Sequence, residues 1–259
     1  MNRIKGKTAL ITGATSGIGK ACAQAFAAME VNLILLARRE ERLDALKREL
    51  EQAHGIFVLT KVFDVRSFPA ALELAAELEA DGKVPDILLN NAGKARGMSK
   101  LHEGDVEDWE EMIDTNIKGL LYMTRAILPG MVARNSGHVI NIGSIAGHQV
   151  YPSGNVYNAT KFAVRALTEG MNVDLAGTKV RISSVDPGLV ETEFSEVRFR
   201  GDTERAATIY EGYTPLRGED VAEVVVFVAN RPEHVDILDL VILPTDQRSA
   251  HVLHKEQQA

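Results

Sequence analysis

Tyr157 and Lys161 stand four positions apart in Tyr157-Asn158-Ala159-Thr160-Lys161, with Ser144 upstream of both. A free phenol has a pKa of about 10 and holds its proton too tightly to be an efficient general base near neutrality. On a helix, positions i and i+4 share a face, which sets the Lys161 ammonium beside the Tyr157 side chain. A unit charge at about 5 Å, with an effective dielectric of about 20, favours the phenolate by about 3 kcal/mol, or about two pKa units. This makes Tyr157 a candidate proton donor and acceptor, Lys161 its activator and Ser144 a hydroxyl able to orient a substrate oxygen. A Tyr–Lys pair at this spacing also recurs on ordinary helix surfaces, so its meaning depends on what else the chain carries.

Near the start lies Thr12-Gly13-Ala14-Thr15-Ser16-Gly17-Ile18-Gly19. Thr8 to Thr12 is a short apolar run of strand type, and Gly17 to Met29 places Ile18, Cys22, Ala25, Phe26 and Met29 at helical spacing. Glycines between a strand and a helix permit a tight turn, and the helix N-terminus then offers amide donors and a positive dipole to a pyrophosphate. The spacing is G-x-x-x-G-x-G rather than the common G-x-G-x-x-G. A further turn, Asn90-Asn91-Ala92-Gly93, follows the apolar run Ile87-Leu88-Leu89, at the kind of strand end where open α/β sheets gather ligands. Asn116 falls inside a long helical stretch, where asparagine is a mediocre helix former and needs a reason to be. Together these features suggest nicotinamide chemistry, and a cationic oxidised ring close to Tyr157 would lower the phenol's pKa further.

The elements that must position these residues alternate along the chain. Strands are predicted at Thr8 to Thr12, Asn32 to Ala37, Ile56 to Val62, Ile87 to Asn90, His138 to Ile142, Arg181 to Val185 and Leu240 to Leu243. Helices are predicted between them, including Glu40 to Gln52, Ser67 to Asp81, Val106 to Arg134, Tyr157 to Leu175 and Gly218 to Asn230. Such alternation implies an α/β protein, a single-domain Rossmann fold spanning residues 1–259, with a doubly wound parallel sheet of about seven strands and helices on both faces. The segment from Glu191 to Tyr213 breaks the rhythm and reads as a substrate-covering excursion of the kind that often forms a lid.

Composition agrees. A chain of 259 residues, 45% hydrophobic and 25% charged, is long enough for one large α/β domain with a well-buried core. The single cysteine, Cys22, forms no internal disulfide and lies on the apolar face of the first helix as a packed thiol. Met1 to Lys7 lacks the apolar stretch of a signal peptide and nothing approaches a membrane span, so a cytoplasmic enzyme is expected. The net charge of -7 disfavours nonspecific nucleic-acid binding, and the seven histidines show no close metal-ligand spacing, so no metal is expected.

Cofactor choice is written at the end of the second strand. An NAD site places Asp or Glu there, roughly 20 residues past the glycines, to accept hydrogen bonds from the ribose. This chain has Ala37-Arg38-Arg39 instead. An arginine fork matches a 2′-phosphate and lacks a partner on a bare ribose, so Arg38 and Arg39 predict NADP(H).

The chain resembles the single-domain short-chain dehydrogenase/reductases over nearly its whole length. The matching residues are Thr12-Gly13 through Gly19, Asp64-Val65, Asn90-Asn91-Ala92-Gly93, Asn116, Ser144, Tyr157 with Lys161, and Pro187-Gly188 followed by Thr192. The resemblance implies an Asn116–Ser144–Tyr157–Lys161 tetrad. In it Tyr157 is the acid/base, Ser144 binds the substrate oxygen, Lys161 holds the nicotinamide ribose and Asn116 supports a water in the proton relay. It also implies a cofactor site formed by Gly13, Thr15, Ser16, Gly17, Ile18, Gly19, Arg38, Arg39, Asp64, Val65, Asn91, Ala92, Gly93, Tyr157, Lys161, Pro187, Gly188, Val190 and Thr192, with Asp64 at the adenine. A homotetramer is the family expectation, with Val106 to Arg134 and Tyr157 to Leu175 at its main interface.

One branch is especially similar, the NADP-dependent 3-hydroxy acid and serine dehydrogenases, which also reduce malonic semialdehyde. The segments Asp108 to Asn116, Gly154 to Tyr157 and Glu193 to Asp202 carry that likeness, and Ile242-Leu243-Pro244-Thr245 stands where many family members have D-G-G, which counts against an acyl-carrier-protein reductase. The reaction implied is reversible hydride transfer between nicotinamide and the carbon bearing a 3-hydroxyl or 3-oxo group of a small acid. With serine, oxidation would give an aminomalonate semialdehyde able to lose carbon dioxide. An acid substrate wants a cation, and Arg198, Arg200, Lys94 and Arg96 are available, with Arg198 the first choice for binding it beside Ser144 and Tyr157. The alternatives are a broad carbonyl reductase of the same fold and an NADP(H)-binding sensor or scaffold without turnover. The complete tetrad argues against the sensor, because binding alone needs no activated phenol.

Overall fold

A computed structural model describes residues 1–256. Strands β1 (Thr8–Thr12), β2 (Asn32–Ala37), β3 (Val58–Val62), β4 (Ile87–Asn90), β5 (Gly137–Ile142), β6 (Val180–Pro187) and β9 (Asp239–Ile242) form one sheet in the order β3-β2-β1-β4-β5-β6-β9. Every neighbouring pair is parallel. Helices α1 (Gly17–Ala28), α2 (Glu40–His54), α3 (Phe68–Ala80), α4 (Val106–Ile113), α5 (Leu120–Ala133), α6 (Asn155–Asp174) and α9 (Gly218–Ala229) make the crossovers. From β1 the chain winds outward through β2 and β3, then returns to place β4 on the other side of β1. The crevice between the carboxyl ends of β1 and β4 is therefore the ligand position of a doubly wound sheet.

The central strands β1, β2 and β4 read as near-continuous apolar runs because both faces of the sheet are covered there. Ala9 and Ile11 join Leu33, Leu35 and Leu89 on one face, under Phe26 of α1, Leu43 of α2 and Val225 of α9. Leu10 joins Ile34, Leu36 and Leu88 on the other, under Leu74 of α3 and Met123 and Ile127 of α5. Local chemistry fixes the ends: Ser67 accepts the Ala70 N–H at the start of α3, and Gly55 ends α2 in the left-handed conformation at φ 64°.

One expectation changes. The helix predicted over Val106 to Arg134 is interrupted: between α4 and α5, Asp114–Gly119 form a wider π turn. The extra width turns Thr115 and Asn116 into the interior, where both are buried. The segment after β6 that breaks the alternation has local structure of its own. It holds β7 (Val190–Glu191), paired in parallel with β8 (Leu216–Arg217), and the short helices α7 (Phe194–Arg198) and α8 (Thr203–Thr208). No described helix is long and apolar enough to cross a membrane.

Candidate active site

The two turns at the switch point are stapled together. The Thr12 hydroxyl accepts the N–H groups of Asn91 (3.0 Å) and Ala92 (2.9 Å), and the Asn91 amide donates to the Thr12 carbonyl at 2.9 Å and the Gly13 carbonyl at 3.2 Å. Gly13 and Gly17 take φ of 66° and 49°, in the left-handed region that suits glycine. Gly19 is required by space, since a Cβ there would run into the Gly13 carbonyl and the Asn91 amide. Helix α1 starts from an extended Ser16 that makes no side-chain cap, and its first turn carries no acidic residue. Its leading N–H groups thus suit an anion, which is what a dinucleotide's pyrophosphate brings.

A cavity of about 630 Å³ runs from this turn toward Tyr157, and all the residues predicted for the cofactor and the substrate line it except Gly19. Gly19 lies beneath the turn. Asn116 also stands behind the wall: its amide donates to the Lys94 carbonyl (2.8 Å) and Thr160 hydroxyl (3.0 Å), and its carbonyl accepts the Lys94 N–H at 2.9 Å. The π turn therefore makes Asn116 a clamp on the loop that leaves Gly93.

At the other end, Ser144 follows β5. Its hydroxyl accepts the Ala146 N–H at 3.1 Å and donates to the Pro187 carbonyl at 3.4 Å. Tyr157, in the first turn of α6, has its ring against Phe194 edge-on, 5.7 Å between centroids. Lys161 donates to the Ile142 carbonyl at 2.8 Å, with its ammonium 5.9 Å from the Tyr157 ring centre. Burial lowers the Lys161 pKa to about 8, against a smaller opposing pull from Asp186. Burial, with Tyr151 adding, also pushes the Tyr157 phenol above its ordinary range, while Ser144 and Arg198 pull it down. The sequence argument for an activated phenol is corrected here. It counted the neighbouring charge but not the desolvation of both partners, which disfavours phenolate and ammonium alike.

Arg38 and Arg39 line the cavity at the end of β2. Among the described residues, Arg38 makes no side-chain hydrogen bond, whereas Arg39 reaches Thr15 and pairs with Glu193 at 2.9 Å. The other Glu193 oxygen takes Arg42 at 2.6 Å. Burial opposes the Glu193 charge, but the bonds from Arg39 and Arg42 hold its carboxyl below the usual range. Asp64 is forked by Arg66 at 3.0 and 2.6 Å, and that bond lowers its pKa.

The four candidate cations for a substrate carboxylate separate cleanly. Lys94 and Arg96 share Glu111, at 3.2 and 2.8 Å, and the Glu111 pKa falls to about 2, chiefly through the Arg96 bond. Arg200 is exposed and pairs with Asp108 at 2.6 Å. Arg198 is buried, donates to the Gly97 carbonyl at 3.0 Å and lies 5.7 and 5.9 Å from the ring centres of Tyr151 and Tyr157. Among the described residues it has no carboxylate within ion-pair distance.

Two groups of residues escaped the sequence reading. Gln247, Ser249, Ala250, His251 and Leu253 close one wall of the cavity. Gln247 accepts the Leu189 N–H at 2.9 Å and donates to the Ser249 carbonyl, so the C-terminal stretch fixes the loop after Gly188. The only hint was the departure from D-G-G just before it. Second, His148, Asp186 and Asp239 bring ligand atoms within 4.8 Å of one another, although no spacing in the sequence links them. His148 bonds Asp186 at 2.5 Å, tying the Ser144 turn to the end of β6, and burial, with Asp239 adding, lifts the Asp186 pKa to about 6.

Comparison with known proteins agrees with this geometry. The family model "short chain dehydrogenase" matches residues 7–202. An NADP-dependent 3-hydroxy acid dehydrogenase of Salmonella typhi is 51% identical over 242 residues, covering 93% of this chain and 96% of that protein. An NADP-dependent 3-hydroxy acid dehydrogenase of Schizosaccharomyces pombe is 42% identical over 99% of this chain and its own full length. Among solved structures, the closed form of a serine dehydrogenase complexed with NADP+ superposes with a TM-score of 0.89 at 47% identity, covering 96% of this chain and 100% of that one. The chain belongs to the short-chain dehydrogenase family and is an oxidoreductase acting on CH–OH groups.

Proposed function

We propose that this enzyme uses NADP(H) to interconvert the 3-hydroxyl and 3-oxo forms of a small carboxylic acid of the serine, 3-hydroxypropionate and malonic semialdehyde type. The observation that carries the substrate class is Arg198, a buried guanidinium without a carboxylate partner beside the ring of the acid/base tyrosine. A buried, unpaired cation is costly, and a carboxylate substrate would relieve that cost. The names of the 3-hydroxy acid dehydrogenase relatives support the reading. The uncapped α1 start, the left-handed glycines and the two arginines after β2 fit the dinucleotide and its 2′-phosphate.

NADP(H), when bound, supplies or accepts the hydride. Tyr157 gives its phenolic proton to the carbonyl oxygen in reduction and takes it back in oxidation. Ser144, its hydroxyl oriented by the Ala146 N–H, hydrogen-bonds the same oxygen. Lys161 holds the nicotinamide ribose and keeps a positive charge near the phenol, offsetting the desolvation that otherwise keeps Tyr157 protonated. Arg198 fixes the carboxylate, so that the carbon two bonds away faces the phenol. The segment 191–213 covers this end of the cavity, with Phe194, Ser195, Val197, Arg198, Ile209 and Tyr210 among its inward residues. A homotetramer, with apolar Leu121, Val132, Phe162 and Val173 of α5 and α6 in the interface, accounts for their exposure here, and light scattering tests it.

The deciding assay follows nicotinamide absorbance with NADPH or NADH and malonic semialdehyde, and with NADP and serine or 3-hydroxypropionate, beside a Tyr157→Phe control. NADPH-selective turnover lost in the control is the expected result. Binding of NADPH with no turnover of any of the three acids would sink the 3-hydroxy acid reading.

A further inference from the structure

Glu193 lies between two parts of the site that the mechanism treats separately. It is the residue immediately before α7, the helix carrying Phe194 and Arg198, yet its carboxylate reaches back across the cavity mouth to the arginines that follow β2. One oxygen takes Arg39 and the other takes Arg42, while the remaining Arg39 nitrogens rest on Thr15 in the glycine turn. Arg39 and Glu193 both line the cavity. A carboxylate thus holds the guanidinium that a cofactor phosphate needs.

We propose that Glu193 is a specificity-determining counter-ion that competes with the cofactor's 2′-phosphate for Arg39, with Arg42 retaining it when the phosphate arrives. The inference rests on the NADP(H) reading above and adds a residue of opposite sign to that site. Glu193 occupies the Arg39 Nη1 N–H alone, and a phosphate oxygen meeting that nitrogen takes its place, because carboxylate and phosphate seek the same guanidinium donors. Arg42 makes the exchange possible, because Glu193 can give up Arg39 without losing every partner. For a cofactor lacking the 2′-phosphate the contact stays intact, so Glu193 acts selectively on the phosphorylated form. Arg39 and Glu193 are each about 40% exposed, so the competition is modest: only the Arg39 pair is given up, and one exposed pair is worth about 0.2–1 kcal/mol, or about 1.4- to fivefold in affinity.

The test measures binding rather than turnover. Calorimetry on the intact enzyme with adenosine 2′,5′-bisphosphate and adenosine 5′-monophosphate isolates the phosphate end from the nicotinamide. In Glu193→Gln, the bisphosphate should bind about 1.4- to fivefold more tightly while the monophosphate is nearly unchanged. Adding Arg42→Gln to that variant should then change bisphosphate binding little, because Arg42 acts through Glu193. Unchanged or weaker bisphosphate binding in Glu193→Gln overturns the proposal, and so does a large further loss in the double variant. A wild-type enzyme that does not distinguish the two nucleotides instead overturns the NADP(H) reading beneath it. Thermal melting confirms folding, and if Glu193→Gln does not fold, Glu193→Ala takes its place with the same expectation.

Discussion

The two ends of the cavity are built on opposite principles. At the Tyr157 end the polar groups are buried and held by backbone: Lys161 on the Ile142 carbonyl, Ser144 between the Ala146 N–H and Pro187 carbonyl, Arg198 on Gly97. At the Arg39 end the polar groups are half-exposed and held by one another, through Glu193. Burial makes the first end electrostatically strong, because charges there act in a low effective dielectric. It also makes that end intolerant, since any lost partner leaves a desolvated charge. The second end is adjustable: its ion pairs are individually weak and exchange with solvent or ligand at little cost. On the proposed mechanism, chemistry is thus placed where groups cannot move and nucleotide choice where they can.

The sharpest way to break this contrast is at Lys161. Lys161→Met should lower kcat by about a hundred- to ten-thousandfold, the range of acid–base assistance, since the phenol then faces desolvation without its offsetting charge. A loss below about tenfold would mean that Tyr157 needs no neighbouring cation. The same buried ammonium predicts a stability effect. Its folded pKa is depressed from 10.5 to about 8, so between those values the unfolded chain binds more protons and wild-type stability gains as pH rises. The cost of the charge is fully present below pH 8. The variant lacks this term, so in the cofactor-free protein its melting temperature should exceed wild type's most near neutrality, with the advantage shrinking toward pH 10.5. A pH-independent difference would contradict the assignment of burial as the cause.

Arg198 tests the buried end from the substrate side. Arg198→Ala should raise the KM of a 3-hydroxy acid by about ten- to a hundredfold, the worth of one charge-assisted contact, and leave the KM of NADPH alone. Equal effects on both would make Arg198 a general strut between Gly97 and α7 rather than a substrate cation. At the exposed end, Arg38→Asp should cut the NADPH over NADH preference by about tenfold or more without a large change in kcat. Unaltered selectivity would remove Arg38 from the phosphate site.

Most of the fold, and most of the residues that line the candidate site, could be read from the sequence, for a physical reason. β1, β2 and β4 match their predicted limits because a strand buried on both faces must be apolar throughout and is bounded by turn residues. The glycine turn and the Tyr157–Lys161 pair are local, so their spacing carries their geometry. What stayed hidden depends on tertiary position. The π turn at Asp114–Gly119 answers to the Lys94 backbone, far away in sequence. Gln247 reaches Leu189, and His148 meets Asp186 and Asp239, through folding alone. Even the phenol's titration, argued from one neighbour, is set first by a burial that no local pattern encodes.

The smallest effect discriminates the two ends most directly. Raising ionic strength from about 0.1 M to about 1 M shortens the Debye length from about 10 Å to about 3 Å and screens exposed charges far more than buried ones. Arg39 is 43% exposed in its side chain, whereas Lys161 and Arg198 are buried. NADPH affinity should therefore weaken by several-fold over this range and NADH affinity should move less, while kcat at saturating NADPH and substrate stays nearly flat. In Glu193→Gln the salt response should steepen, because phosphate and arginine then meet without a competing carboxylate that salt would also screen. A kcat that falls with salt as steeply as NADPH affinity would mean that the phenol end is as open to solvent as the arginine end, and the division between a fixed chemical centre and an adjustable nucleotide site would not hold.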